Sequence, residues 1–149
     1  MITEVHGDIF ETDAKVIVNP VNCVGVMGKG LALEFKKRYP KMFKEYQKIC
    51  EMGSLEPGIL HYYTGEDSEK TIINFPTKRH WNSPSKIQYI AIGLSALSYN
   101  QSAKQFNVES LAIPALGCGC GELDWKDVRK LIYSNLSWMD IPIIIYLPH

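Results

Sequence analysis

Two stretches of this chain are apolar almost without interruption: residues 110–113, inside "SLAIPAL", and residues 141–147, "IPIIIYL". A strand with one wet face alternates apolar and polar residues, so an unbroken run predicts a strand covered on both faces. Between the two lies an amphipathic segment in which Asp124 precedes Val128, Leu131, Ile132 and Leu136 on one face, with Asp124 as the cap. A strand, a helix and a second buried strand in that order predict parallel pairing by a crossover.

The rest of the chain keeps the same rhythm. Shorter strands are expected at residues 2–5, 15–19, 59–63 and 71–75, which are rich in β-branched and aromatic residues and bounded by Gly, Asp or Pro. A helix over 31–39 continues beyond Pro40 over 42–52 and stops at Gly53. Another is expected to open at Ser83 and Pro84 and to bury Ile87, Ile90, Ala91, Leu94 and Leu97. The fold class that follows is α/β, a three-layer α/β/α domain with a central mixed, largely parallel sheet. At 149 residues the chain is expected to form one such domain.

Composition removes several functions. Lys and Arg total 16, as do Asp and Glu, so no global positive field is present to hold nucleic acid by charge alone. No apolar run approaches the ~20 residues of a membrane span, and "MITEVHGDIF" lacks signal-peptide architecture, so a cytoplasmic protein without membrane contact is expected. Cys23, Cys50, Cys118 and Cys120 form no C-x-x-C pair, and no histidine stands near a second ligand at zinc spacing. Reduced thiols, no metal and no cofactor are expected.

Ligands of such sheets bind outside the carboxyl ends of the strands. Three loops leave strands in that sense: 19–30, 76–83 and 114–121. The first carries "GVMGKG", which is neither a P-loop nor the Rossmann glycine pattern, but precedes a helix whose N-terminal amides attract an anion. A glycine-rich turn with no ligand is the plainer alternative there. The last is "GCGCG", Gly117 to Gly121, whose three alternate glycines suit a backbone bent closely around a ligand. Two such loops side by side suit a diphosphate. The middle loop is "NFPTKRHW". Read blandly, it is a solvated basic turn; read chemically, Lys78 is a candidate nucleophile with Arg79 as the neighbouring cation that would activate it. Its cations beside Trp81 also suit single-stranded nucleic acid. No G-x-S-x-G elbow is present.

Together "GDIF", "DAKVIVNPVN", "VMGKGLALEF" and "IPALGCGCG" resemble, in order and across nearly the whole chain, the motifs of the macrodomain family, which binds ADP-ribose. Within it, "NCVGVMGKGLALEFKKRYP" and "NFPTKRHW" are similar to the antitoxin branch of DNA ADP-ribosyl glycohydrolases, which removes ADP-ribose from thymine in single-stranded DNA. The resemblance implies that Asp8 and the Ile9 backbone read the adenine edge, and that Asn22 meets the distal ribose. It places Lys29, Gly30 and Leu31 on the first side of the diphosphate, and Gly117, Cys118, Gly119, Cys120 and Gly121 on the second. Thr77 joins the ligand site, Tyr146 flanks the adenine, and Lys78 is the catalytic lysine. Arg79, His80 and Trp81 are then expected against the DNA strand, an expectation resting on residue type. Where related protein-directed hydrolases carry an aspartate in the second loop, this chain has Gly121, which favours the DNA-directed branch.

The expected partners are ADP-ribose as ligand and product, ADP-ribosylated single-stranded DNA and a cognate ADP-ribosyltransferase toxin, with the protein acting as a monomer. Other readings use the same pocket: a hydrolase of ADP-ribosylated glutamate or aspartate or of O-acetyl-ADP-ribose, an ADP-ribose-1″-phosphate phosphatase, or a binding module without turnover. Lys78 separates these, since affinity alone does not require it.

Overall fold

The computed structural model describes residues 1–66 and 68–148. Its strands are β1 (Ile2–Val5), β2 (Val16–Val21), β3 (His61–Tyr63), β4 (Thr71–Pro76), β5 (Leu111–Pro114) and β6 (Ile143–Tyr146). Its helices are α1 (Gly30–Arg38), α2 (Pro40–Glu51), α3 (Ile87–Ser102) and α4 (Trp125–Leu136), with a short 3-10 turn at Ile9–Glu11. All the expected strands form, in a six-stranded sheet of order β1-β6-β5-β2-β4-β3. Every pairing is parallel except β3 with β4. The expected strand over 59–63 shortens to His61–Tyr63, because Ile59 closes a turn onto the Glu56 carbonyl.

Alternation along the strands builds a core on each face. Val16 and Val18 of β2 join Ile90, Leu94, Leu97, Val128, Ile132 and Leu136 beneath α3 and α4. Ile17 and Val21 join Phe35, Met42 and Tyr46 beneath α1 and α2. Phe75 of β4 is fully buried, and a methyl added at Gly93 of α3 would lie 2.2 Å from its ring, so glycine is what lets that helix seat on the sheet.

α3 does not open where the sequence suggested. Ser83, Pro84 and Ser85 stay outside the helix, which begins at Ile87 after Lys86, with no side chain capping it. The Ser85 amide donates instead to the Gly121 carbonyl. That bond straps the entry of α3 to the second glycine loop, and it wins over a Ser-Pro helix start. Among the described residues no helix is long and apolar enough to cross a membrane.

Candidate functional site

The three loops meet over the carboxyl ends of β2, β4 and β5 and enclose a cavity of about 990 Å³. That is the upper end of the ~300–1,000 Å³ usual for ligand clefts. Asp8, Ile9, Asn22, Lys29, Gly30, Leu31, Thr77, Lys78, Gly117, Cys118, Gly119, Cys120, Gly121 and Tyr146 all line it, as does Trp81. Residues expected from five separate motifs thus line one cavity.

Side chains hold the first loop. Asn22, buried at the end of β2, accepts from the amides of Val24 (3.0 Å) and Val26 (3.4 Å) and donates to the Val26 carbonyl (2.8 Å). The Tyr46 hydroxyl lies 2.8 Å from both the carbonyl and Oδ1 of Asn22 and donates to one of them. Burial pushes the Tyr46 phenol far up, which keeps that proton in place. The loop then enters α1 through Lys29, an extended N-cap without a side-chain bond, and Gly30 at φ 61°. A residue with a Cβ rarely adopts that conformation. Among the described residues no side chain caps the first turn of α1, which starts on the cavity wall, a setting in which helix amides attract an anion.

Beneath this loop runs a buried polar chain. Asn19 donates to Asn74 Oδ1 across the β2–β4 register (3.0 Å), and Asn74 donates to His61 Nδ1 (3.0 Å). His61 therefore carries its proton on Nε2 and donates it to Glu45 (2.7 Å) at the surface.

Backbone closeness holds the second loop. Gly117 has φ 73°, and the Leu123 amide donates to its carbonyl (2.9 Å). A Cβ at Gly121 would lie 2.2 Å from Ser85 Oγ and 2.5 Å from the Gly117 carbonyl oxygen. The loops touch where Cys120 Sγ comes within 3.4 Å of a Cβ position on Gly30.

The third loop is pinned to the first. Thr77 donates its amide to the Val21 carbonyl (2.9 Å), and Cys23 donates its own to the Arg79 carbonyl (3.0 Å). Lys78, half-buried, faces the cavity, but the side chain of Arg79 does not line it. Arg79 donates to the Tyr89 hydroxyl (3.2 Å) and pairs with Glu56 (3.9 Å). The cation that shares the cavity wall with Lys78 is Lys29. His80 packs its ring 5.4 Å from that of Trp81 and stays out of the lining, so Trp81 alone of the three expected DNA residues lines it.

At the mouth, Asp8 caps the 3-10 turn by accepting from the Phe10 amide (2.9 Å). Tyr146 closes β6 beside Val5 and Pro114.

A family model described as "Macro domain" matches residues 18–132, more than half of the chain. The chain is a macrodomain. A protein of Mycobacterium tuberculosis named DNA ADP-ribosyl glycohydrolase is 47% identical over 151 residues, covering 99% of this chain and 42% of that protein. The chain thus spans about two fifths of the length of the curated relatives it matches. The solved macrodomain of M. tuberculosis DarG superposes with a TM-score of 0.92 at 45% identity, covering 100% of this chain and 99% of that one. A Thermosipho africanus DarTG chain solved in complex with ADP-ribose gives 0.92 at 38% identity, covering 99% of this chain and 41% of that one.

All four thiols of this macrodomain are free. Burial pushes Cys23 and Cys118 up to about 11, so neither is a thiolate nucleophile near neutral pH. Among the described residues no group of three or more His, Cys, Asp or Glu is placed to hold a metal. Two site features escaped the sequence. Ser85 lines the cavity with a buried hydroxyl that has no hydrogen-bond partner, and its Ser-Pro-Ser setting reads as a helix start. Glu34 also lines the cavity from α1, where it reads as an ordinary exposed helix residue.

Proposed function

We propose that this macrodomain is an ADP-ribosyl glycohydrolase that removes ADP-ribose from thymine bases in single-stranded DNA. The observation that carries the reading is Lys78, an amine on the wall of a cavity whose other walls are two glycine loops and an uncapped helix start. The names of the M. tuberculosis relatives and the ADP-ribose complex of the T. africanus chain support it.

In this reading the α1 amides and the loop from Gly117 to Gly121 take the diphosphate. Asp8 and Ile9 read the adenine edge, Tyr146 flanks the ring, and Asn22 and Thr77 border the ribose. Binding energy gathered far from the reacting bond fixes the anomeric carbon beside Lys78. The bond from that carbon to the base nitrogen breaks, and the base leaves with the electron pair and takes a proton. Water supplies the hydroxyl that replaces it. Lys78 acts in one of two ways: as an amine that holds the opened sugar as an imine until water releases it, or as an ammonium that stabilises the departing charge. Trapping with cyanoborohydride separates them, since only the imine leaves ADP-ribose attached to Lys78. The modified base must be unstacked to enter, which a single strand allows at small cost. A cognate ADP-ribosyltransferase as partner, a monomeric state and a cytoplasmic location belong to the same proposal.

The decisive test offers the protein and its Lys78→Ala variant two substrates, an oligonucleotide ADP-ribosylated on thymine and a protein ADP-ribosylated on glutamate. Release from DNA that needs Lys78, with ADP-ribose affinity intact in the variant, is expected. Release only from protein would make the chain a protein-directed hydrolase. No release from either, with ADP-ribose still bound, would make it a binding module.

A further inference from the structure

A second cavity, of about 440 Å³, opens beside the first. Lys29, Lys78, Trp81 and Cys120 line both, while Asn82 and Glu122 line only the second. The two spaces therefore meet along a seam that includes Lys78. We infer that the second cavity is the seat of the departing nucleobase, with the Trp81 indole as its stacking platform and Glu122 as a selector against leaving groups that stay ionised. This rests on the reading that ADP-ribose fills the first cavity and is cut from a base in single-stranded DNA.

Three observations carry it. The first is position. With the scissile bond at Lys78 and the ADP-ribose moiety on one side, the leaving group lies on the other, where the second cavity begins.

The second is Trp81. It is 50% exposed, a large apolar ring left in water. The turn around it is nevertheless built: the Ser83 amide donates to the His80 carbonyl (3.2 Å), the Asn82 amide to His80 Nδ1 (3.4 Å), and the His80 ring backs the indole. An exposed aromatic held in place suits a base, since every base offers a face to stack on. Asn82, next along the same wall, offers both an amide donor and an acceptor to a base edge.

The third is Glu122. Among the described residues only Lys104 and Glu122 are non-glycine residues at positive φ. Lys104 follows the end of α3, where left-handed residues are common. Glu122 has φ 66° in a loop otherwise rich in glycine, held by its amide donating to the Gly119 carbonyl (3.2 Å). A strained backbone that puts a carboxylate on a cavity wall points to a task. Beside a neutral base the carboxylate can accept an N–H. Beside a departing glutamate or aspartate carboxylate, which stays ionised where the base takes up a proton, it repels, which turns this wall against protein substrates.

The test compares the protein with Trp81→Ala, Trp81→Phe and Glu122→Gln on the thymine-modified oligonucleotide and on a glutamate-modified peptide, with free ADP-ribose binding by calorimetry as the control. For Trp81→Ala, kcat/KM on the oligonucleotide should fall about ten-fold or more, the range that base stacking on an aromatic gives. ADP-ribose affinity should stay unchanged, and Trp81→Phe should retain most of the rate. Glu122→Gln should raise the rate on the peptide relative to the oligonucleotide. Undiminished turnover of DNA by Trp81→Ala would overturn the subsite and leave the glycohydrolase reading standing. Loss of ADP-ribose affinity in that variant would mean that Trp81 holds the ADP-ribose moiety rather than the base and overturn it equally. Failure of the unaltered protein to release ADP-ribose from DNA would sink the reading itself, and the base seat with it.

Discussion

The two glycine loops face each other across one cavity, but opposite means hold them. The loop before α1 is tied by side chains: Asn22 brackets Val24 and Val26, Tyr46 bonds to Asn22, and the chain from Asn19 to Glu45 runs beneath. The loop after β5 is shaped by the lack of side chains, with backbone bonds across it and Ser85 pressed against Gly121. One loop should break when a side chain is removed, the other when one is added.

The largest effect is expected from addition. Gly121→Ala places a methyl within 2.5 Å of two oxygens, one of them a backbone carbonyl that cannot swing away. Overpacking of that kind costs about 1–3 kcal/mol of folding stability, and more where the blocking atom is backbone, which denaturant unfolding should show. A second change, Ser85→Gly, sharpens the point. It removes the hydroxyl clash but not the Gly117 carbonyl, so it should restore only part of the loss. Full recovery would mean that Ser85 alone enforces glycine there.

Removal comes next. Asn22→Ala strips the first loop of its bracket and takes the hydrogen-bond partner from the amides of Val24 and Val26, at about 1 kcal/mol. Denaturant unfolding should show that loss, with the second loop unaffected. A variant as stable as the parent would show that the chain beneath the loop, rather than Asn22, sets its shape.

The smallest effect concerns pH. Cys23 lies by the first loop and Cys118 in the second, and burial raises both from 9.0 to about 11. The folded state holds these protons more tightly than the unfolded chain does. Stability should therefore fall as pH rises from about 9 to about 11, and be unaffected by these thiols below 9. Cys23→Ser and Cys118→Ser, measured separately, would show which loop carries more of that slope.

Much of this arrangement was legible in the sequence. Unbroken apolar runs predicted two-faced strands, and glycines at the carboxyl ends of β2 and β5 predicted where a ligand approaches. What stayed hidden depends on partners far along the chain. Asn74 is a strand residue until the fold puts it between Asn19 and His61. Arg79 reads as the cation next to Lys78, and nothing local shows that its guanidinium pairs with Tyr89 and Glu56. Ser83-Pro84 is a sound helix start until Gly121 claims the Ser85 amide. Local propensity lost in each case to a contact that only the tertiary structure supplies.

The pairing of β1 with β6 has a consequence for synthesis. Ile2 of the first strand registers with Ile143 of the last, and β1 makes no other strand pairing among the described residues. Contacts so far apart along the chain form slowly, because a long loop must close before they are rewarded. β1 leaves the ribosome before the other strands of the domain and cannot pair until β6 has emerged. Until β6 emerges, the nascent domain carries an unpaired edge at β5, and a chaperone that holds β1 apart would guard the step most exposed to misassembly.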